Sequence, residues 1–363
     1  MSHSRFSITR RHFGKLALGA SAMAPALLRA QAGRGRPLPK PNSRFAGVQI
    51  GVISYSFRTM PPSELISTVA KLGINEVELM SGDAETLVGA PTPPPRVTGG
   101  IIPGGPGRGR GSAPAVTYYS GGECAERLPR PAAQAGSQRP LSPEQEKFRE
   151  EQASWRKSDD TMEKYRGLRK QFDDAGIDLA LLCYNMNGNV SDDEIDYAFR
   201  MAQALGARGI TSSSTVTIAQ RVAAFADKHK MIWAGHGHDD VCDPEQFAKP
   251  ETFEKIMSFS PYIYVNLDIG HFTAAGYDPV PFIRRYYARI SNLHLKDRFR
   301  SMGTGRGANV RWGDGETPIR QVLQLMRREQ YPFPANIEYE YQGTDAVIEV
   351  AKCLQYAKDI LVG

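Results

Sequence analysis

Val265-Asn-Leu-Asp-Ile-Gly-His271 and Leu293-His-Leu-Lys-Asp-Arg298 are the runs on which the fold turns. In an extended strand successive side chains face opposite ways, so Asn266 and Asp268 share one face, as do His294 and Lys296. Leu267 and Leu293 take the other face. The same pattern appears upstream in Met231-Ile-Trp-Ala-Gly-His-Gly-His238, where His236 and His238 share a face. It appears again downstream in Asn336-Ile-Glu-Tyr-Glu-Tyr341, where Glu338 and Glu340 do so and Ile337 opposes them. Four strands in succession thus turn ionisable groups inward near their C-terminal ends, and in three of them leucine or isoleucine takes the other face.

Outward from these runs, short apolar stretches alternate with segments of helical period. Strands are expected at 48–57, 74–80, 177–184, 209–212, 231–235, 263–268, 290–296 and 335–341. Helices are expected at 63–72, 161–175, 192–205, 318–328 and 344–361. Leu72-Gly73-Ile74 recurs as Ala175-Gly176-Ile177 and, more loosely, as Leu205-Gly206-Ala207, each placing a glycine where a left-handed residue stops a helix before a strand. Strict alternation predicts a parallel sheet, and eight units predict a closed (β/α)8 barrel of the α/β class, a single domain over 47–363. Barrel enzymes work at the C-terminal ends of their strands, where the ionisable groups gather.

Residues 83–159 break the rhythm after the second strand. Pro91, Pro93, Pro94 and Pro95 are followed by paired glycines at 99–100, 104–105 and 121–122, with few apolar residues. Such a segment cannot bury enough surface to offset its ordering, so a long flexible insertion is expected, with order only near Trp155. It reads equally as a lid over the mouth or as a loose insertion.

The beginning of the chain reads as a leader. Thr9-Arg10-Arg11-His12-Phe13-Gly14-Lys15, an apolar run over 16–28 and Ala30-Gln31-Ala32 describe a twin-arginine signal peptide over 1–32, followed by a linker over 33–46. The apolar run is interrupted by Gly19, Ser21 and Pro25, too broken for a membrane anchor. The expected address is the periplasm, reached through the twin-arginine export machinery. Removing Arg5, Arg10, Arg11, Lys15 and Arg29 with no acid lowers the formal charge from +6 to +1, so no basic face for nucleic acid remains. Cys124, Cys183, Cys242 and Cys353 lie far apart with no C-x-x-C pair, and four free buried thiols are expected.

An isolated histidine at a strand end is ordinarily a satisfied polar residue. Four consecutive strands ending in His, Asp or Glu are different, because buried ionisable groups are costly unless a cation or mutual pairing satisfies them. Mixed imidazole and carboxylate donors suit one divalent transition metal, Mn²⁺, Zn²⁺, Co²⁺ or Fe²⁺.

At this point the sequence resembles the xylose isomerase-like sugar phosphate isomerase/epimerase superfamily over nearly all of the chain after the leader, apart from 83–159. The matching motifs are Gly51-Val-Ile-Ser-Tyr-Ser56, Glu76-Val-Glu78, Asp268-x-x-His271, His294-Leu-Lys-Asp297, Gly313-Asp-Gly315 and Ile337-Glu338. The resemblance implies metal ligands Asp268, His294 and Glu338, with His271 and Arg300 contacting substrate. Tyr55, in the first motif, and Glu340 are further substrate-contacting candidates. Where sugar epimerases usually place a glutamate on the fifth strand, this chain has His236 and His238, similar to a His-Asn-His variant of the superfamily. His236 is therefore the expected fourth ligand.

Two classes of function are expected. In the first, the chain removes a proton beside the carbonyl of a sugar or keto-sugar, with His238 or Glu338 as base and Lys296 or His271 returning the proton or steadying the oxyanion. Reprotonation makes it an isomerase or epimerase, the reading placed first as the wider class; loss of a β leaving group makes it, as the alternative, a lyase or hydratase of 3-keto-glycosides. In the second, the barrel binds metal and sugar without turnover.

Overall fold

Eight parallel strands form at the eight apolar runs: β1 Val48–Ile53, β2 Glu76–Met80, β3 Asp178–Cys183, β4 Gly209–Ser212, β5 Ile232–His236, β6 Ile263–Asp268, β7 Ile290–Leu295 and β8 Ala335–Ile337. Each pairs with the next along the chain, and β8 pairs in parallel with β1, so the sheet closes into the expected (β/α)8 barrel. This computed structural model describes residues 40–92, 142–158, 160–301 and 307–363, and the unit they form is Lys40–Gly363. The leader over 1–32 and the first part of the linker lie outside the described residues. The end of that linker is already part of the barrel. Ser43 is buried, and Arg44–Phe45 pairs antiparallel with the start of β1.

The three glycine junctions work as their positions require. The helix Leu65–Leu72 ends on Gly73 at φ 78, and Gly176 and Gly206 follow the helices Thr161–Asp174 and Asp192–Ala204 at φ 74 and 65. Only glycine takes this left-handed conformation without strain, so each helix stops and the chain turns into the next strand. Leu267, Leu293 and Ile337 are fully buried in the apolar core. Each such side chain contributes roughly 1.5–3 kcal/mol by leaving water.

At the N-terminal end of β2, the buried Glu76 makes a long ion pair, with Arg208 Nη2 3.4 Å from Oε1. Burial pushes its carboxyl up to about 8, with Arg208 opposing.

Two expectations are corrected. The insertion is ordered at both ends, beyond the neighbourhood of Trp155: Ser81–Leu87 and Pro143–Lys157 are helices, the second opened by a Ser142/Gln145 capping box. Arg156 Nε donates to Glu85 Oε1 at 2.8 Å, and the Arg156 guanidinium lies 5.0 Å from the Tyr197 ring centre. Trp155 packs edge-on to Tyr165 at 6.2 Å. A charged helix with acids in its first turn and bases in its last needs few apolar contacts to hold, which is why low apolar content misled. Residues 93–141 lie outside the described residues. The second correction concerns thiols: Cys183 and Cys353 are free and buried, but Cys242, in the loop after β5, is disulfide-bonded. Wide spacing along the chain says nothing of proximity in space. Cys124 lies outside the described residues.

Candidate metal centre at the barrel mouth

His236 ends β5, Asp268 ends β6, His294 lies near the end of β7, and Glu338 follows β8 directly. All four are buried, and one donor atom from each lies within 4.8 Å of the other three. His236 Nε2 is 3.0 Å from His294 Nδ1, 3.6 Å from Asp268 Oδ2 and 3.8 Å from Glu338 Oε2. His294 Nδ1 is 2.9 Å from Glu338 Oε2. Bonds of about 2.1 Å to a tetrahedral ion set donor atoms roughly 3.4 Å apart, and these separations bracket that value.

Asp268 divides its carboxylate between two tasks. Oδ1 accepts the backbone N–H of His271 at 2.7 Å and caps the helix Ile269–Ala274. Oδ2 is buried and accepts no hydrogen bond. A buried carboxylate oxygen met by the Lys296 ammonium at 3.0 Å and facing two imidazoles and a second carboxylate sits in a donor set that fits one divalent transition metal, with His236, Asp268, His294 and Glu338 as the residues that would hold it.

Beneath these four lies Glu78 of β2, fully buried, which the motif reading included without giving it a role. Its Oε2 faces His294 Nε2 at 2.7 Å. Burial pushes His294 toward its neutral form, but Glu78 and Glu338 outweigh burial and hold its pKa up to about 10. The proton on Nδ1 and a cation therefore compete for one position.

Lys296 places its Nζ 3.0 Å from Asp268 Oδ2, 2.9 Å from Glu338 Oε2 and 2.6 Å from Glu340 Oε2. Burial disfavours its ammonium, yet these carboxylates hold its pKa well above the usual lysine value. Burial likewise opposes ionisation of Asp268 and Glu338, and Lys296 leads the charges that nevertheless pull both below the usual carboxylate range. Tyr55, just after β1, is half-buried; burial and then Glu340 raise its phenol.

Above the cluster, the His238 ring lies 5.0 Å from that of His236 and 5.1 Å from that of His271. Burial, reinforced by His236 and His271, lowers His238 well below the usual imidazole range, so it is neutral near neutral pH. His271 is lowered too, by burial first and Lys296 second. Its Nδ1 is 3.2 Å from Asp239 Oδ1 and also contacts Arg298 Nη1, while Arg298 Nη2 donates to Asp239 Oδ2 at 3.0 Å. Asp239 and Arg298 were missed in the sequence, although each neighbours a residue singled out there. Arg300 is not brought to the site: it is exposed, its backbone N–H donating to Glu316 Oε2 at 2.7 Å. The short hairpin of Asp297–Arg298 with Asn309–Val310 redirects the chain and leaves Arg298 as the inward arginine.

A closed (β/α)8 barrel with a buried His, Asp, His, Glu cluster at the ends of β5 to β8 defines the class, an α/β barrel with a candidate cation site at its mouth. The chain belongs to the xylose isomerase-like TIM barrel family, which matches residues 145–357. An inosose dehydratase of Clostridium botulinum is 26% identical over 122 residues, 30% of this chain and 39% of that relative. The chain thus matches well under half of the length of that curated relative. Among solved structures, the probable 3-DHS dehydratase of Bacillus anthracis aligns at TM-score 0.54 and 12% identity, over 87% of this chain and 99% of that one. A sugar phosphate isomerase/epimerase of Parabacteroides distasonis aligns at TM-score 0.51 and 14% identity, over 89% and 100%. At such identities these structures share the fold.

Proposed function

We propose that the chain is a metal-dependent enzyme that removes a proton beside the carbonyl of a keto-sugar or keto-polyol. The observation that carries this reading is the buried donor set of His236, Asp268, His294 and Glu338, with Lys296 3.0 Å from Asp268 Oδ2 and the His238 ring 5.0 Å from that of His236 at the same mouth. A divalent cation bound there, Mn²⁺, Zn²⁺, Co²⁺ or Fe²⁺, supplies the positive charge that favours an anion next to a carbonyl. His238, neutral and outside the four-group cluster, takes the proton. Lys296, held as an ammonium, hydrogen-bonds the developing oxyanion or gives its proton to a departing hydroxyl. His271, held by Asp239, and the mouth residues Tyr55 and Glu340 position the substrate.

Elimination is the outcome we place first. The fifth strand carries histidine where two-carboxylate epimerases carry a glutamate, Lys296 brings an ammonium to the same mouth, and one curated relative is a dehydratase by name and one structural neighbour a probable dehydratase. Isomerisation or epimerisation, the same anion reprotonated, is the second reading and rests on the family. Incubation with inososes and 3-keto-glycosides in deuterated water separates them. Loss of water or of the glycosidic group marks a lyase, and deuterium beside the carbonyl without such loss marks an isomerase or epimerase. Neither event with any keto substrate, in metal-loaded protein, contradicts the proposal and leaves a sugar-binding barrel.

We place the reaction in the periplasm, after twin-arginine export. The leader motif supports this, and the disulfide at Cys242 suits an oxidising compartment. Cell fractionation tests it, and activity confined to the cytoplasm contradicts it.

A further inference from the structure

We propose that Glu78 is a positioning residue that selects which nitrogen of His294 faces the metal; the assignment rests on the metal-centre reading above. Glu78 Oε1 accepts from Thr211 Oγ1 at 2.5 Å and lies 3.5 Å from Asn266 Nδ2, which stands nearer, at 3.2 Å, to His294 Nε2. Its Oε2 accepts from Asn292 Nδ2 at 2.8 Å, Asn336 Nδ2 at 3.0 Å and His294 Nε2 at 2.7 Å. Strands β4, β6, β7 and β8 all contribute donors, and no acceptor faces the carboxylate among the described residues. The cage is built for an anion.

Holding that anion has a cost elsewhere. Asn336 turns its amide nitrogen to Glu78 and Asn266 turns its own between Glu78 and His294 Nε2, and both leave their Oδ1 atoms buried without partners. Position 51 on β1 must also be glycine, because a Cβ there would stand 2.4 Å from Asn336 Oδ1. A carboxylate that served packing alone would not need two stranded carbonyls.

The gain appears at His294. An imidazole that donates Nε2–H to Glu78 presents Nδ1 to His236, Asp268 and Glu338. The other tautomer would press the Nε2 lone pair against the Glu78 carboxylate and point an N–H into the cation site. Glu78 thus fixes the tautomer and the ring plane, and its charge makes Nδ1 a stronger donor.

The test uses the metal-stripped full chain titrated with Zn²⁺ and Mn²⁺. Glu78→Gln keeps the size and one acceptor but loses the charge, so metal affinity should fall about 10- to 100-fold. In the zinc-loaded wild type, the ¹H–¹⁵N spectrum of the histidine rings should show a proton on His294 Nε2. That reading stands even where the variant fails to fold. A bare Nε2, or unchanged affinity in Glu78→Gln, overturns the assignment alone. A wild-type chain that binds neither ion overturns the functional reading, and the assignment with it.

Discussion

Lys296 Nζ stands 3.0 Å from Asp268 Oδ2, the oxygen left without a hydrogen bond at the cation site. The ammonium and a cation bound there would therefore share the negative charge of Asp268 and Glu338. Replacing Lys296 by Met should leave metal affinity unchanged or stronger, since a competing charge is removed. Turnover should fall by roughly 10² to 10⁴, the size of a lost proton donor. Metal titration beside steady-state kinetics checks both, and loss of the metal would show that Lys296 holds the cluster together instead.

His238 makes no side-chain hydrogen bond with any described residue, and it stands outside the four-group cluster. His238→Gln should keep the metal and lower turnover by about 10² to 10⁴, with deuterium exchange beside the substrate carbonyl falling in parallel. Unchanged turnover would remove His238 from the mechanism, and loss of metal would make it a ligand.

Asp268 joins a helix cap to the site, and two substitutions separate the tasks. Asp268→Asn keeps an oxygen to accept the His271 backbone N–H, whereas Asp268→Ala loses the cap at about 1 kcal/mol. Both should lose the metal, and only the alanine variant should melt at a clearly lower temperature. Full metal occupancy in the asparagine variant contradicts the ligand assignment.

The strands were legible because each apolar run ends against a glycine stop or a helix start. The four-residue cluster was legible because period-two alternation puts His236, Asp268, His294 and Glu338 on inward faces at similar heights. Glu78 was visible only as part of a motif. Which of Glu76 and Glu78 reaches the metal layer depends on height along β2, and height comes from the register with β1 and β3, which no local pattern states. Arg298 displaced Arg300 through a hairpin of two residues a side, too short to leave a period. The helix Pro143–Lys157 was hidden by its charge, and the bond at Cys242 by distance along the chain.

Glu76 gives a pH dependence away from the chemistry. Its folded pKa of about 8 exceeds the ordinary 4.5, so the fold favours its protonated form. That contribution is fully present below about 4.5 and is lost as pH rises toward 8. Glu76→Gln should match wild type in thermal unfolding near pH 4 and become progressively more stable than it up to about pH 8, with metal binding unchanged. A variant less stable than wild type at pH 8 contradicts this account of the barrel floor.

Metal content measures the central claim most directly. The chain should retain or rebind one divalent transition metal per polypeptide, read by elemental analysis against protein concentration. His294→Ala and Asp268→Ala should each reduce that content to background while the barrel remains folded by circular dichroism. A wild-type chain that takes up no divalent ion, or either variant at full occupancy, would contradict it.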